Sequence, residues 1–111
     1  MLVTKRDGRQ VKFDRSRIET AITKAYWGDL YNPMSPIIPE AMRISKEIAD
    51  SGKDYTVEEI QDIVEEKLME TLPTTARAYI RHRYKREAVR DYKDNFFDEI
   101  KKKIDADNIV N

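Results

Sequence analysis

The chain has 111 residues, enough for one domain of common size and a modest core. Its 21 Lys and Arg balance 21 Asp and Glu, and this neutrality argues against a general electrostatic footprint for nucleic acid. The absence of Cys excludes disulfides, Cys-based zinc sites and a Cys nucleophile within these residues. No run is long and apolar enough to span a bilayer or to form a signal-peptide core, so a cytoplasmic protein without a membrane partner is expected.

Residues 2 to 6 and 10 to 13 read as short strands around Asp7-Gly8, a hairpin signal because Gly accepts positive φ. Asp14 then caps a helix, with Phe13 at N′ and Ile18 at N4 in the spacing of a hydrophobic staple. Ile22, Ala25 and Tyr26 continue at helical spacing, and the helix is expected to fail near Gly28. Asn32-Pro33 and Ser35-Pro36 mark a loop. Pro39 suits the start of a second helix, whose narrow buried face is Ala41, Ile44, Ser45 and Ile48 and whose C-cap is Ser51-Gly52. A third strand around 53 to 55 is weak on propensity alone. Thr56 and Glu59 form a capping-box pattern, and Tyr55 with Ile60 supplies a second staple for a helix carrying Ile63, Val64 and Leu68. Residues 72 to 75 read as a break. A fourth helix is expected from near Thr75, carrying Ala76, Tyr79, Ile80, Tyr84 and Ala88, and reaching toward Lys103 before a polar exit at 105 to 108. The fold class is α+β and mostly α: a two- or three-stranded cap on a bundle of about four helices.

The residues with chemical potential are mainly cations, and each has a structural alternative. Lys5 and Arg6 beside the turn suit an anion, or decorate a solvated edge strand. Arg17 lies in the first turn of a helix, where the macrodipole disfavours a cation unless an anion joins it; the alternative is a surface pair with Asp14 or Glu19. Thr56 serves as a cap, with a contact to a nucleoside as the second option. From Arg77 to Arg90 the chain is densely basic, with Arg77, Arg81 and Lys85 in one stripe, Arg83, Arg86 and Arg90 in another, and Tyr84 able to stack on a base. A solvated face balanced by nearby acids explains the same run. No GxxxxGK[ST] or GxGxxG motif and no base–nucleophile constellation is visible, so the chain itself is read as non-catalytic.

In order, V-x-K-R-D-G at 3 to 8, F-D-x-x-x-I at 13 to 18, T-x-x-E-I-Q-D-I-V-E at 56 to 65 and A-R-A-Y-I-R-H-R-Y-K-R at 76 to 86 resemble the ATP-cone, a nucleotide-sensing domain of ribonucleotide reductases. The resemblance covers roughly 1 to 95, with 96 to 111 as a helix end and exit toward a catalytic domain. It implies an allosteric domain that binds ATP or dATP, with Mg2+, and controls activity, often through a change in oligomeric state. Carried over by motif, Lys5, Arg6, Arg17, Lys85 and Arg86 would meet phosphates. Val3, Phe13, Ile18 and Ile60 would wall the nucleoside, and Thr56 would contact base or sugar. Many relatives have Lys where this chain has Arg17. The hairpin would be the lid of the site and the bundle its floor.

The segments Tyr79 to Arg86 and Phe96 to Lys101 look most like anaerobic, glycyl-radical ribonucleoside-triphosphate reductases, with aerobic and cobalamin-dependent enzymes as competitors. The cone also occurs in a transcriptional repressor of reductase genes, behind a Cys zinc ribbon; a chain that opens on the cone without Cys fits that poorly. Two readings from other classes are a helical protein-interaction module using Phe96-Phe97 or the basic helix, and nucleic-acid binding through Arg77 to Arg90, which neutrality disfavours.

Overall fold

The computed structural model describes residues 1–110, with side chains through 104. The element order is β1 (Leu2–Thr4), β2 (Gln10–Lys12), α1 (Arg15–Trp27), a short 3-10 turn (Gly28–Leu30), α2 (Pro39–Ser51), β3 (Tyr55–Thr56), α3 (Val57–Thr71) and α4 (Pro73–Val110). They form two compact units, Met1–Ile80 and the segment from Arg81 onward.

In the first unit a small sheet has the order β2-β1-β3. β1 runs antiparallel to β2, with Val3 opposite Val11, and parallel to β3, with Val3 opposite Tyr55 and Thr4 opposite Thr56. The weak third strand is therefore real, and it makes β1 the central strand. Period-2 alternation buries Val3 while Leu2 stays exposed.

The strands are shorter than the sequence reading expects, because the turn takes Lys5 and Arg6. The Gly8 N–H donates to the Lys5 carbonyl at 2.9 Å, and the Lys5 N–H donates to the Arg9 carbonyl at 2.8 Å. Gly8 has φ of +88°, which a side chain would strain. The Asp7 carboxylate accepts from the Arg9 N–H at 3.0 Å and from its Nε at 2.7 Å, and locks the turn from within.

α1 starts where the cap predicts: the Asp14 carboxylate accepts from the Ser16 N–H at 3.0 Å. It ends at Gly28. α2 opens on Pro39 and closes on Gly52 at φ +65°. The expected break before α4 contracts to one residue. The Leu72 N–H donates to Leu68 O at 2.7 Å and closes α3, while its carbonyl accepts from the Ala76 N–H at 2.9 Å and opens α4. Pro73, lacking an N–H, suits that first position, so α4 begins before Thr75. It also runs past Asp105–Asn108, where an exit was expected.

Ile18, Ile22 and Ala25 of α1, Ala41, Ile44 and Ile48 of α2, Ile60, Val64 and Leu68 of α3, Ala76 and Tyr79 of α4, together with Val3 and Ile38, form the core. Its buried polar groups are satisfied. Ser45 accepts from Arg15 Nε at 3.1 Å and donates to Glu19 at 2.9 Å, tying α1 to α2. On the outer side Lys67 bonds Glu47 at 2.6 Å and Thr71 donates to Glu40 at 3.0 Å, so α3 is latched to α2 around Arg43.

In the second unit α4 carries exposed Val89, Tyr92, Phe96, Phe97 and Ile100. Tyr92 and Phe96 stack with centroids 6.4 Å apart. The expected apolar face of α4 is buried at Ala76 and Tyr79, whereas Tyr84 and Ala88 are exposed.

Candidate functional site

The elements that carry the predicted site residues of the first unit, all but Lys85 and Arg86, meet at the sheet. β1 leads into the Lys5–Gly8 turn, β2 leads into the capped start of α1, and β3 leads directly into the capped start of α3. Because β1 pairs with both neighbours, two helix N-termini are anchored beside one strand.

Among the apolar residues, Val3, Ile18 and Ile60 each retain 8% of their surface and belong to one cluster, with half-buried Phe13 packed against it. They are core side chains with an outer edge.

Thr56 lies opposite Thr4 in the sheet. Its hydroxyl accepts from the Glu59 N–H at 3.1 Å, and the Glu59 carboxylate accepts from the Thr56 N–H at 3.1 Å. This reciprocal box fixes the junction of β3 and α3.

The cations separate into two groups. Arg9 is held by Asp7, and Arg15 by Glu19, Ser45 and the Met42 carbonyl. Arg6 is held by Glu58, with Nε 3.5 Å from Oε1. Lys5, Lys12 and Arg17 have no side-chain hydrogen bond or ion pair among the described residues. Lys5 is half-buried at the head of the turn, and Arg17 is exposed at N3 of α1. Of the two sequence alternatives for Arg17, a pair with Glu19 is not formed, because Glu19 is taken by Arg15 and Ser45, and Asp14 feels the charge of Arg17 without a close ion pair.

The nearby carboxylates are themselves stabilised as anions. Asp14 sits below its ordinary pKa, first through the Ser16 hydroxyl, then through the Ser16 N–H and the charge of Arg17. Asp7 is lowered chiefly by the Arg9 backbone N–H, with help from the Arg9 side chain and the charges of Arg9 and Lys5.

Lys85 and Arg86 are exposed residues of the second unit. In that unit Arg83 pairs with Glu87 at 3.4 Å, one turn on. Glu58, next to the capping Glu59, carries no signal of its own in the sequence. Glu59 does cap, but Glu58 reaches Arg6. Asp54 carries none either, and its carboxylate accepts from the Leu2 N–H at 2.7 Å. The signal for both was positional: once Val3 aligns with Tyr55 in parallel register, Asp54 and Glu58 fall at the two ends of β1.

Among the described residues no group of three acidic or His side chains gathers to hold a metal, and no helix is long and apolar enough to cross a membrane.

The chain is similar to parts of several ribonucleotide reductases. A vitamin B12-dependent ribonucleoside-diphosphate reductase of Thermoplasma acidophilum is 36% identical over 98 residues, 83% of this chain and 13% of that protein. An anaerobic ribonucleoside-triphosphate reductase of Haemophilus influenzae is 32% identical over 109 residues, 96% of this chain and 15% of that protein. A vitamin B12-dependent ribonucleoside-diphosphate reductase of Mycobacterium tuberculosis is 39% identical over 94 residues, 82% of this chain and 13% of that protein. The chain thus spans about a seventh of the length of these curated relatives or slightly less. Residues 1–88, which take in the whole sheet, both capped helix starts and the core, match the ATP cone domain, and the chain belongs to that family.

Proposed function

We propose that this chain is the allosteric nucleotide-binding domain of a ribonucleotide reductase, taking ATP or dATP as effector and controlling overall activity. The observation that carries this reading is the division of the cations. In a domain of this family, Lys5 and Arg17 make no close ion pair among the described residues and feel only the charges of neighbouring Asp7 and Asp14, while Arg9 and Arg15 are neutralised locally. A triphosphate supplies the missing charge, and charge-assisted contacts of this kind are the strong ones. Val3, Phe13, Ile18, Ile60 and Thr56 would border the nucleoside. Lys85 and Arg86 are assigned to phosphate by motif alone. Mg2+ would arrive coordinated by the phosphates.

The relatives include both cobalamin-dependent and anaerobic reductases. The anaerobic assignment is supported by an alignment with such an enzyme over 96% of this chain. In this reading residues 96–111 lead toward a catalytic domain, and occupancy is transmitted by altered association with that domain or with a second copy. The setting would be cytoplasmic.

Calorimetric titration of the 111-residue chain with ATP and with dATP, each with Mg2+, tests the reading. Saturable binding of at least one is expected, and absence of heat at millimolar concentration rejects it. Lys5→Ala and Arg17→Ala should each weaken binding by roughly 1.5–3 kcal/mol without unfolding the domain. Unchanged dissociation constants for both would reject the assigned phosphate contacts.

A protein-interaction role is favoured by one separate observation, the exposed Phe97 (65%) beside Phe96 (49%). It predicts that Phe97→Asp abolishes association while leaving nucleotide binding intact.

A further inference from the structure

Among the described residues, Arg6 is the one cation of the hairpin turn with a partner far away in sequence. Its guanidinium lies 3.5 Å from the Glu58 carboxylate, in the first turn of α3. Both side chains are about two-fifths exposed, so water and ligands reach the pair. The pair continues the register of the sheet. Leu2 is tied to Asp54, Val3 and Thr4 oppose Tyr55 and Thr56, and Arg6 meets Glu58. The parallel pairing of β1 with β3 is only two residues long, and it is bracketed by a carboxylate at each end. Glu58 is not needed for the cap, which Thr56 and Glu59 complete between themselves.

We infer that Glu58 is a resident competitor for phosphate: it neutralises Arg6 when no nucleotide is present and must yield Arg6 when a triphosphate binds. This rests on the reading of the hairpin as part of the nucleotide site. Lys5 and Arg17 are available to an incoming anion at once, whereas Arg6 is available only by exchange. An ion pair this exposed is weak, so exchange is feasible. It still subtracts from the affinity, because one carboxylate loses its partner and then faces a polyanion. Glu58 therefore acts as a positioning residue that sets the threshold concentration of effector. It has no reason to affect recognition of the nucleoside.

The test compares wild type, Glu58→Gln, Glu58→Asp and Arg6→Gln in the full chain, titrated with ATP and with adenosine, with thermal melts to confirm folding. Glu58→Gln should bind ATP roughly two- to fivefold more tightly, the span of a surface ion pair. It should bind adenosine as wild type does. Glu58→Asp keeps the charge and should return affinity toward wild type. In the Arg6→Gln background the gain from Glu58→Gln should shrink. Equal or weaker ATP binding by folded Glu58→Gln, or an equal gain for adenosine, overturns the inference while leaving the nucleotide site standing. Failure of every variant and of wild type to bind ATP overturns the site itself, and this inference with it.

Discussion

In the unit Met1–Ile80, Ile22, Ile44, Val64 and Leu68 are fully buried, whereas in the segment from Arg81 onward Tyr92, Phe96, Phe97 and Ile100 stand in water. Both stretches contain large apolar residues at helical spacing. The difference lies in what surrounds them. Three helices, the first turns of a fourth and a sheet face one another in the first unit, so every apolar stripe there finds a partner. A helix by itself has no second layer to cover its stripe. Periodicity in a sequence therefore says which residues share a face, and burial depends on elements the local pattern does not contain.

Substitution at matched apolar positions would break this contrast most directly. Ile44→Ala should destabilise by roughly 2–5 kcal/mol, the cost of a buried large-to-small change. Phe97→Ala should stay within about 0.5 kcal/mol, as exposed changes do. Urea unfolding midpoints measure both, and comparable losses would mean that the second segment is packed after all. A smaller effect concerns the junction that joins sheet to bundle. Thr56→Ala removes half of the capping box and should cost about 1 kcal/mol, read from the same curves.

The smallest expected effect is on the acid side. Asp7, Asp14, Glu40 and Glu47 all have folded pKa values below their ordinary ones. The first causes are the Arg9 N–H, the Ser16 hydroxyl, Arg43 and Lys67 respectively. Depressed carboxylates stabilise the fold fully above their unfolded values, about 3.9–4.3, and lose that contribution as pH falls through the folded ones. The melting temperature should therefore drop below about pH 4. Replacing Glu40 and Glu47 with Gln together should flatten that limb, which would place the acid sensitivity of the first unit in the α2–α3 latch.

Much of the first unit was legible. Asp14, Thr56 and Glu59 cap where their spacing predicts, because capping is decided within four residues. Ala41, Ile44, Ser45 and Ile48 are all buried, as one helical stripe should be. The strand ends were misread, since Lys5 and Arg6 look extended until the Gly8 N–H is seen to close on Lys5. The break before α4 was overestimated because Leu72 serves two helices at once. The partners of Arg6 and Leu2 could not be read locally at all. They lie 52 residues away and follow only from a parallel register that strand propensity barely signals.

That register has a consequence for how the protein is made. β1 emerges during synthesis long before Tyr55 and Thr56, its second partner, which follow roughly fifty residues later. At roughly 5–20 residues per second, the strand waits several seconds with one edge unsatisfied. The hairpin with β2 can form in microseconds and hold β1 extended in the meantime. The parallel pairing then closes only when α1, α2 and β3 have all been translated. Completion of the sheet thus divides the making of the first unit in two: the strand laid down first finds its second partner once α1 and α2 have been made, and α3 and the first turns of α4 follow directly from that junction.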